Sequence, residues 1–115
     1  GKNVSISTVP YQVSIRDRFN NHFCNLYAVK SATVYPEYDS DNIINDIAIL
    51  HMAKKMEINN KTSTPIALAI KPPPENSNCT ISGWGSQVPP IRADMALPSF
   101  YLRAAPVPIF PKKDV

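Results

Sequence analysis

The sequence predicts an all-β protein, and three observations carry that expectation. Apolar residues alternate with polar ones over short stretches, the period of half-buried strands. Twelve prolines in 115 residues leave little room for long helices, because proline lacks an N–H and clashes with the preceding helical turn. The run Ile47-Ala48-Ile49-Leu50 is apolar without interruption, as a strand covered on both faces would be.

Taken in order, residues 9–16 read as a first strand, with Val9, Tyr11, Val13 and Ile15 on one face. Residues 17–21 are a polar turn, and His22-Phe23-Cys24-Asn25-Leu26-Tyr27-Ala28-Val29 returns as a second extended run. Ala32-Thr33-Val34-Tyr35 is a third, stopped by Pro36. Residues 46–52 read as a buried strand. Between Ala53 and Pro74 the chain is polar and rich in asparagine, closing on Pro72-Pro73-Pro74, a stiff segment suited to connecting two parts of a larger structure. Strand character resumes at Cys79-Thr80-Ile81-Ser82, and Gly83-Trp84-Gly85 permits a sharp bend. Residues 101–109 are extended, with Pro106 and Pro108 confining them to an edge or an irregular strand.

Composition excludes several classes of function. Net charge is +3, from 12 Lys and Arg against 9 Asp and Glu, and the cations are scattered except at Lys54-Lys55 and Lys112-Lys113. A nucleic-acid binder clusters its cations and interleaves aromatics, so no nucleic-acid partner is expected. No apolar run approaches the roughly 20 residues of a spanning helix, so no membrane partner is expected either. Gly1 is followed by no cationic and apolar leader, which points to a processed chain or part of a longer one. Asn3-Val4-Ser5, Asn60-Lys61-Thr62 and Asn78-Cys79-Thr80 are glycan acceptor patterns, in keeping with a secreted, extracellular protein. Cys24 and Cys79 are the two cysteines, and their spacing alone does not show whether they pair. Nothing in the sequence suggests a metal or an organic cofactor.

Around Asp46 the residues resemble a known family. Tyr35-Pro36-Glu37-Tyr38, a polar turn and Asn45-Asp46-Ile47-Ala48-Ile49-Leu50 are similar to the segment of trypsin-like serine proteases that carries the catalytic aspartate. Val9-Pro10-Tyr11-Gln12-Val13-Ser14-Ile15 resembles that family's first strand, and His22-Phe23-Cys24 the strand that follows. Cys79-Thr80-Ile81-Ser82-Gly83-Trp84-Gly85 closely matches its Cys-x-x-Ser-Gly-Trp-Gly signature. Leu97-Pro98, then residues 102–109 with Lys113-Asp114, resembles the next strand. The resemblance implies parts of the two antiparallel six-stranded barrels of that fold. Residues 1–52 would be a remnant of the first half-barrel, 53–77 the connector and 78–115 the start of the second. It implies peptide-bond hydrolysis by a Ser-His-Asp triad in the full-length parent, with polypeptide substrates or protease inhibitors as partners, and it makes Asp46 the catalytic site residue.

The same comparison shows what this sequence lacks. No Ala-Ala-His-Cys segment follows Cys24, and no Gly-Asp-Ser-Gly-Gly segment occurs. His22 corresponds to a non-catalytic histidine. His51 stands five residues after Asp46, an odd separation that sends the two side chains to opposite faces of a strand. Ser82, Ser86 and Ser99 lack the flanking glycines of an oxyanion-binding turn. In the family the counterparts of Cys24 and Cys79 bond cysteines in the absent segments, which leaves both without their usual partners. The chain by itself is therefore expected to be inactive, either as part of an active protease or as a protease-like protein that binds without cutting.

Overall fold

The computed structural model describes residues 1–16, 26–87 and 98–112. Among them are five strands: β1 (Lys2–Asn3), β2 (Val29–Val34), β3 (Ala48–Met52), β4 (Asn78–Gly83) and β5 (Arg103–Pro108). A 3₁₀ turn at Ile6–Thr8 is capped by Ser5, whose hydroxyl oxygen accepts from the Ser7 N–H. The fold is all-β and antiparallel throughout, with no closed barrel among the described residues. His22, Cys24, Leu97, Lys113 and Asp114 lie outside the described residues.

The chain divides into two compact units, Gly1–Ile15 with Ile58–Val115, and Arg16–Glu57. The first holds a three-stranded sheet in the order β1-β5-β4. β4 and β5 pair in regular register from Asn78↔Pro108 to Gly83↔Arg103, and β1 adds through Lys2↔Ala104 and Asn3↔Arg103. Side chains reinforce that last pairing, since Arg103 donates to Asn3 Oδ1 at 2.8 Å and to the Gly1 carbonyl at 2.6 Å.

Two prolines in a strand with neighbours on both sides run against the expected edge position, and the register explains it. The Val4 N–H donates to the Leu102 carbonyl, and the Ile109 N–H to the Ser77 carbonyl. Backbone groups in an antiparallel strand alternate sides, so even-numbered residues of β5 face β1 and odd-numbered ones face β4. Pro106 and Pro108 are even, and β1 reaches only as far as Ala104. Their missing N–H groups therefore fall on the side where no strand among the described residues pairs with β5, while the ladder to β4 is intact. Among the described residues β5 is central at one end and an edge at the other.

Residues 9–16 correct an expectation. They form a turn and an irregular segment rather than a strand. The Val9 carbonyl accepts from Gln12 N–H, closing a turn, and the Pro10 carbonyl accepts from Thr64 N–H. Of the four residues assigned to one face, Val9 is buried, whereas Tyr11, Val13 and Ile15 are exposed. Period two had identified residues suited to a strand, but among the described residues no strand pairs with them.

The second unit holds a two-stranded sheet, β2 with β3, running from Val29↔Met52 to Val34↔Ala48 with an irregularity between Val29 and Ser31. β2 takes in most of the predicted third strand, and β3 most of the fourth. The expected burial of β3 is not met, since Ile49 is 61% exposed and Ile47 and Leu50 are exposed too. An apolar run records an environment with cover on both faces, and a two-stranded ribbon supplies none by itself. Among the described residues the only buried apolar side chains are Val9 and Leu102, both in the first unit.

Candidate functional site

Asp46 follows a bend at Asn45 and stands two residues ahead of β3. The segment before it is built tightly. Asp39 and Ile44 form an isolated bridge with N–H to carbonyl bonds in both directions. Asp39 Oδ1 accepts the N–H groups of Asp41 at 2.9 Å and Asn42 at 3.2 Å, and Oδ2 accepts from Asn42 Nδ2 at 2.8 Å. These bonds, the Asn42 side chain foremost, hold the Asp39 carboxyl below the ordinary carboxylate value.

Two residues of this loop adopt positive φ, Ile43 at 53° and Asn45 at 58°. Asparagine tolerates that conformation; a β-branched isoleucine does so only where the surroundings enforce it. The Asn45 side chain donates to the Glu37 carbonyl at 3.0 Å, the Asn45 carbonyl accepts from Ile47 N–H at 2.9 Å, and the Ile47 carbonyl accepts from Tyr35 N–H at 3.1 Å. Asp46 is thus presented at the centre of a three-residue turn between two anchored neighbours. Its carboxylate is exposed and has no hydrogen-bond partner among the described residues.

The other residues named from the sequence are engaged elsewhere. His51 Nε2 and Thr33 Oγ1 hydrogen-bond at 3.0 Å across the β2–β3 ladder. The Ser82 hydroxyl donates to Gln12 Oε1 at 2.6 Å, and the Ser99 hydroxyl to the Tyr101 carbonyl at 2.7 Å. Ser86 is exposed and also has a partner. Cys79 carries a free, half-buried thiol in β4. His22 and Cys24 are outside the described residues. Sequence reading treated residues 39–44 as a generic polar turn. Asp39 and Asn45 nevertheless shape the loop that leads into Asp46, and the signal for Asp39 was the Asp-Ser-Asp-Asn string, since Asp and Asn cap their own backbone in turns.

The bend after β4 has its own requirement. Gly83 has φ 155°, a conformation essentially reserved for glycine, although a Cβ there would meet no atom within 4 Å. Conformation rather than space therefore calls for glycine at this position. The Trp84 carbonyl beyond it accepts from the Ser99 N–H at 2.8 Å, tying the bend to the approach to β5. An open hollow of about 410 Å³ lies between this bend and β5, lined by Gly1, Ser82, Gly83 and Arg103 among others. Arg103 is already committed to Asn3 and Gly1.

Comparison with known proteins gives these features their class. The family model for trypsin matches residues 20–113, so the chain belongs to the trypsin family of serine proteases. It is 32% identical over 72 residues to a fruit-fly (Drosophila melanogaster) protein named inactive serine protease scarface, covering 63% of this chain and 11% of that one. It is 27% identical to human serine protease 1, over 75% of this chain and 49% of that protein. It is 26% identical to trypsin theta of Drosophila erecta, over 76% and 47%. The chain thus spans less than half the length of each of these relatives. The latter two alignments extend over 123 and 125 positions while taking in about three-quarters of a 115-residue chain. The surplus is sequence of the relatives with no counterpart here. Among the described residues no helix is long and apolar enough to cross a membrane.

Proposed function

We propose that this chain derives from a secreted serine endopeptidase, that Asp46 stands at the position of the triad aspartate, and that the 115-residue chain alone does not hydrolyse peptide bonds. The observation that carries the reading is Asp46 itself. It is held between the anchored residues Asn45 and Ile47 at the entrance to β3, with its carboxylate unengaged among the described residues. In the triad an aspartate of this kind orients the histidine, which takes the proton of the attacking serine. Peptide substrates belong to that complete assembly. The domain reading goes with it: residues 1–52 from the first half-barrel, 53–77 the connector and 78–115 from the second, with β1 as an arm that joins the sheet of the last part.

Inactivity follows from chemistry. An aspartate forms no bond to substrate. Removing the nucleophile or the base of a triad costs on the order of 10⁶ in turnover. Ser82 and Ser99 donate to Gln12 and Tyr101 rather than to a histidine, and the sequence has no Gly-Asp-Ser-Gly-Gly segment. The unmatched stretches in the alignments to human serine protease 1 and trypsin theta support loss of an internal segment. The purified chain should fail to react with a serine-directed organophosphonate, read by intact mass against an active trypsin control. Stoichiometric labelling of the chain would overturn the reading.

A second reading is favoured by the similarity to a protein named an inactive serine protease. In it the chain is a non-catalytic, protease-like binding protein. Sequencing the full transcript separates the two: a histidine-bearing Ala-Ala-His-Cys segment and a downstream Gly-Asp-Ser-Gly-Gly support the first, and their absence supports the second.

A further inference from the structure

The sequence offers three glycan acceptor patterns, and the structure separates them. Asn3 lies in β1, where its backbone pairs with Arg103 and its Oδ1 accepts the Arg103 guanidinium. The third residue of that pattern, Ser5, caps the 3₁₀ turn and shares a hydrogen bond with the Ser7 hydroxyl. Asn78, Cys79 and Thr80 are consecutive rungs of the β4–β5 ladder, paired with Pro108, Val107 and Pro106, and Cys79 between them is half-buried. Both patterns sit within paired strands or at a cap.

Asn60-Lys61-Thr62 is different. It forms the tip of a short loop closed by the Asn59 N–H donating to the Ser63 carbonyl. The side chain of Asn59 holds that loop. Its Oδ1 accepts the N–H groups of Lys61, Thr62 and Ser63 at 2.9, 2.8 and 3.1 Å, and its Nδ2 donates to Thr62 Oγ1 at 2.8 Å. The neighbouring Asn60 carboxamide makes no hydrogen bond among the described residues, and Asn60, Lys61 and Thr62 are all exposed. Asn60 has φ 62°, which asparagine tolerates and which glycine would satisfy as well. The backbone therefore accounts for a small or Asx residue here, but it leaves the carboxamide itself unused.

We propose that Asn60 is the N-glycan acceptor of this chain. The inference rests on the secretory reading above, since the modification is made during entry to the secretory route. In the transfer, the anomeric C1–O bond of a lipid-pyrophosphate-linked oligosaccharide breaks and a C1–Nδ2 bond forms. One Nδ2 proton is lost to a base, and the lipid pyrophosphate leaves with the bonding pair. The exposed loop accommodates the bulky product without displacing a strand.

The test translates the whole chain behind an appended secretion signal in the presence of microsomes, so that translocation does not depend on the chain's own routing. Protease-protected chains are then digested with an amide-releasing glycosidase and mapped by mass spectrometry. One glycan, at Asn60, is expected. Asn60→Asp, which keeps the left-handed conformation accessible, should abolish it, and Asn3→Asp and Asn78→Asp should leave it. A translocated chain without a glycan, or a glycan that survives Asn60→Asp, overturns the proposal. The secretory reading fails separately, if the native protein is confined to the cytosol of its source cells while the translocated chain is still modified at Asn60.

Discussion

Asp39 shows how one side chain sets the geometry of a loop. Its carboxylate gathers two backbone N–H groups and the Asn42 amide, and each of these bonds favours the charged form, so its pKa lies below the ordinary value. A depressed carboxylate contributes stability above its unfolded-state pKa and loses it as pH falls through the folded value. The residue 39–47 loop is therefore expected to stay ordered through neutral and mildly acid pH and to loosen only below the ordinary carboxylate range. An NMR titration of Asp39, followed with the Asp41 and Asn42 amide shifts, checks this. Joint titration at or above the ordinary value would contradict it. The same loop sets Asp46, whose position before an apolar run was legible in the sequence. Its anchoring was not, because the Asn45-to-Glu37 bond joins residues whose approach depends on the whole turn.

Among the elements, β5 illustrates how register decides what a residue type means. Proline marks a strand as unfit for pairing on the side its nitrogen faces, and sequence alone does not say which side that is. With Pro106 and Pro108 turned away from β4, the ladder to β4 rests on odd-numbered residues such as Val107, opposite Cys79. Val107→Pro should cost about 1–3 kcal/mol by deleting a ladder bond and leaving its partner in β4 unsatisfied. Pro106→Ala should change stability by less than about 1 kcal/mol. Denaturant unfolding of both variants distinguishes the two positions, and equal losses would contradict the assigned register. β3 teaches a related lesson. The sequence predicted its existence and extent, but its covered faces required partners that β2 does not provide.

For the molecule as a whole, the distribution of burial matters most. Leu102 is 7% exposed, whereas Leu68 and Ile70 are 91% and 99% exposed. Leu102→Ala should destabilise the Gly1–Ile15 and Ile58–Val115 unit by about 2–5 kcal/mol, the usual cost of emptying a buried leucine site. Leu68→Ala should fall within about 0.5 kcal/mol, as exposed substitutions do. Chemical denaturation of the two variants side by side checks the contrast, and comparable losses would mean that Leu68 is covered in solution. The exposed apolar residues of β3 and of residues 66–70 are consistent with a chain that spans less than half of the relatives compared above.

The sequence by itself determined the antiparallel β class, the family, the place of Asp46 ahead of an apolar strand and the glycine bend after β4. Each is written in a few neighbouring residues, where alternation, turn chemistry and short motifs act locally. Tertiary structure decided the rest. It paired β1 with β5 across about a hundred residues, turned the β5 prolines away from β4 and gave His51 to Thr33, and among the described residues it left 9–16 without a strand partner and β3 exposed. These outcomes depend on which distant segment arrives to pair or to cover, and no local pattern encodes whether that segment is there.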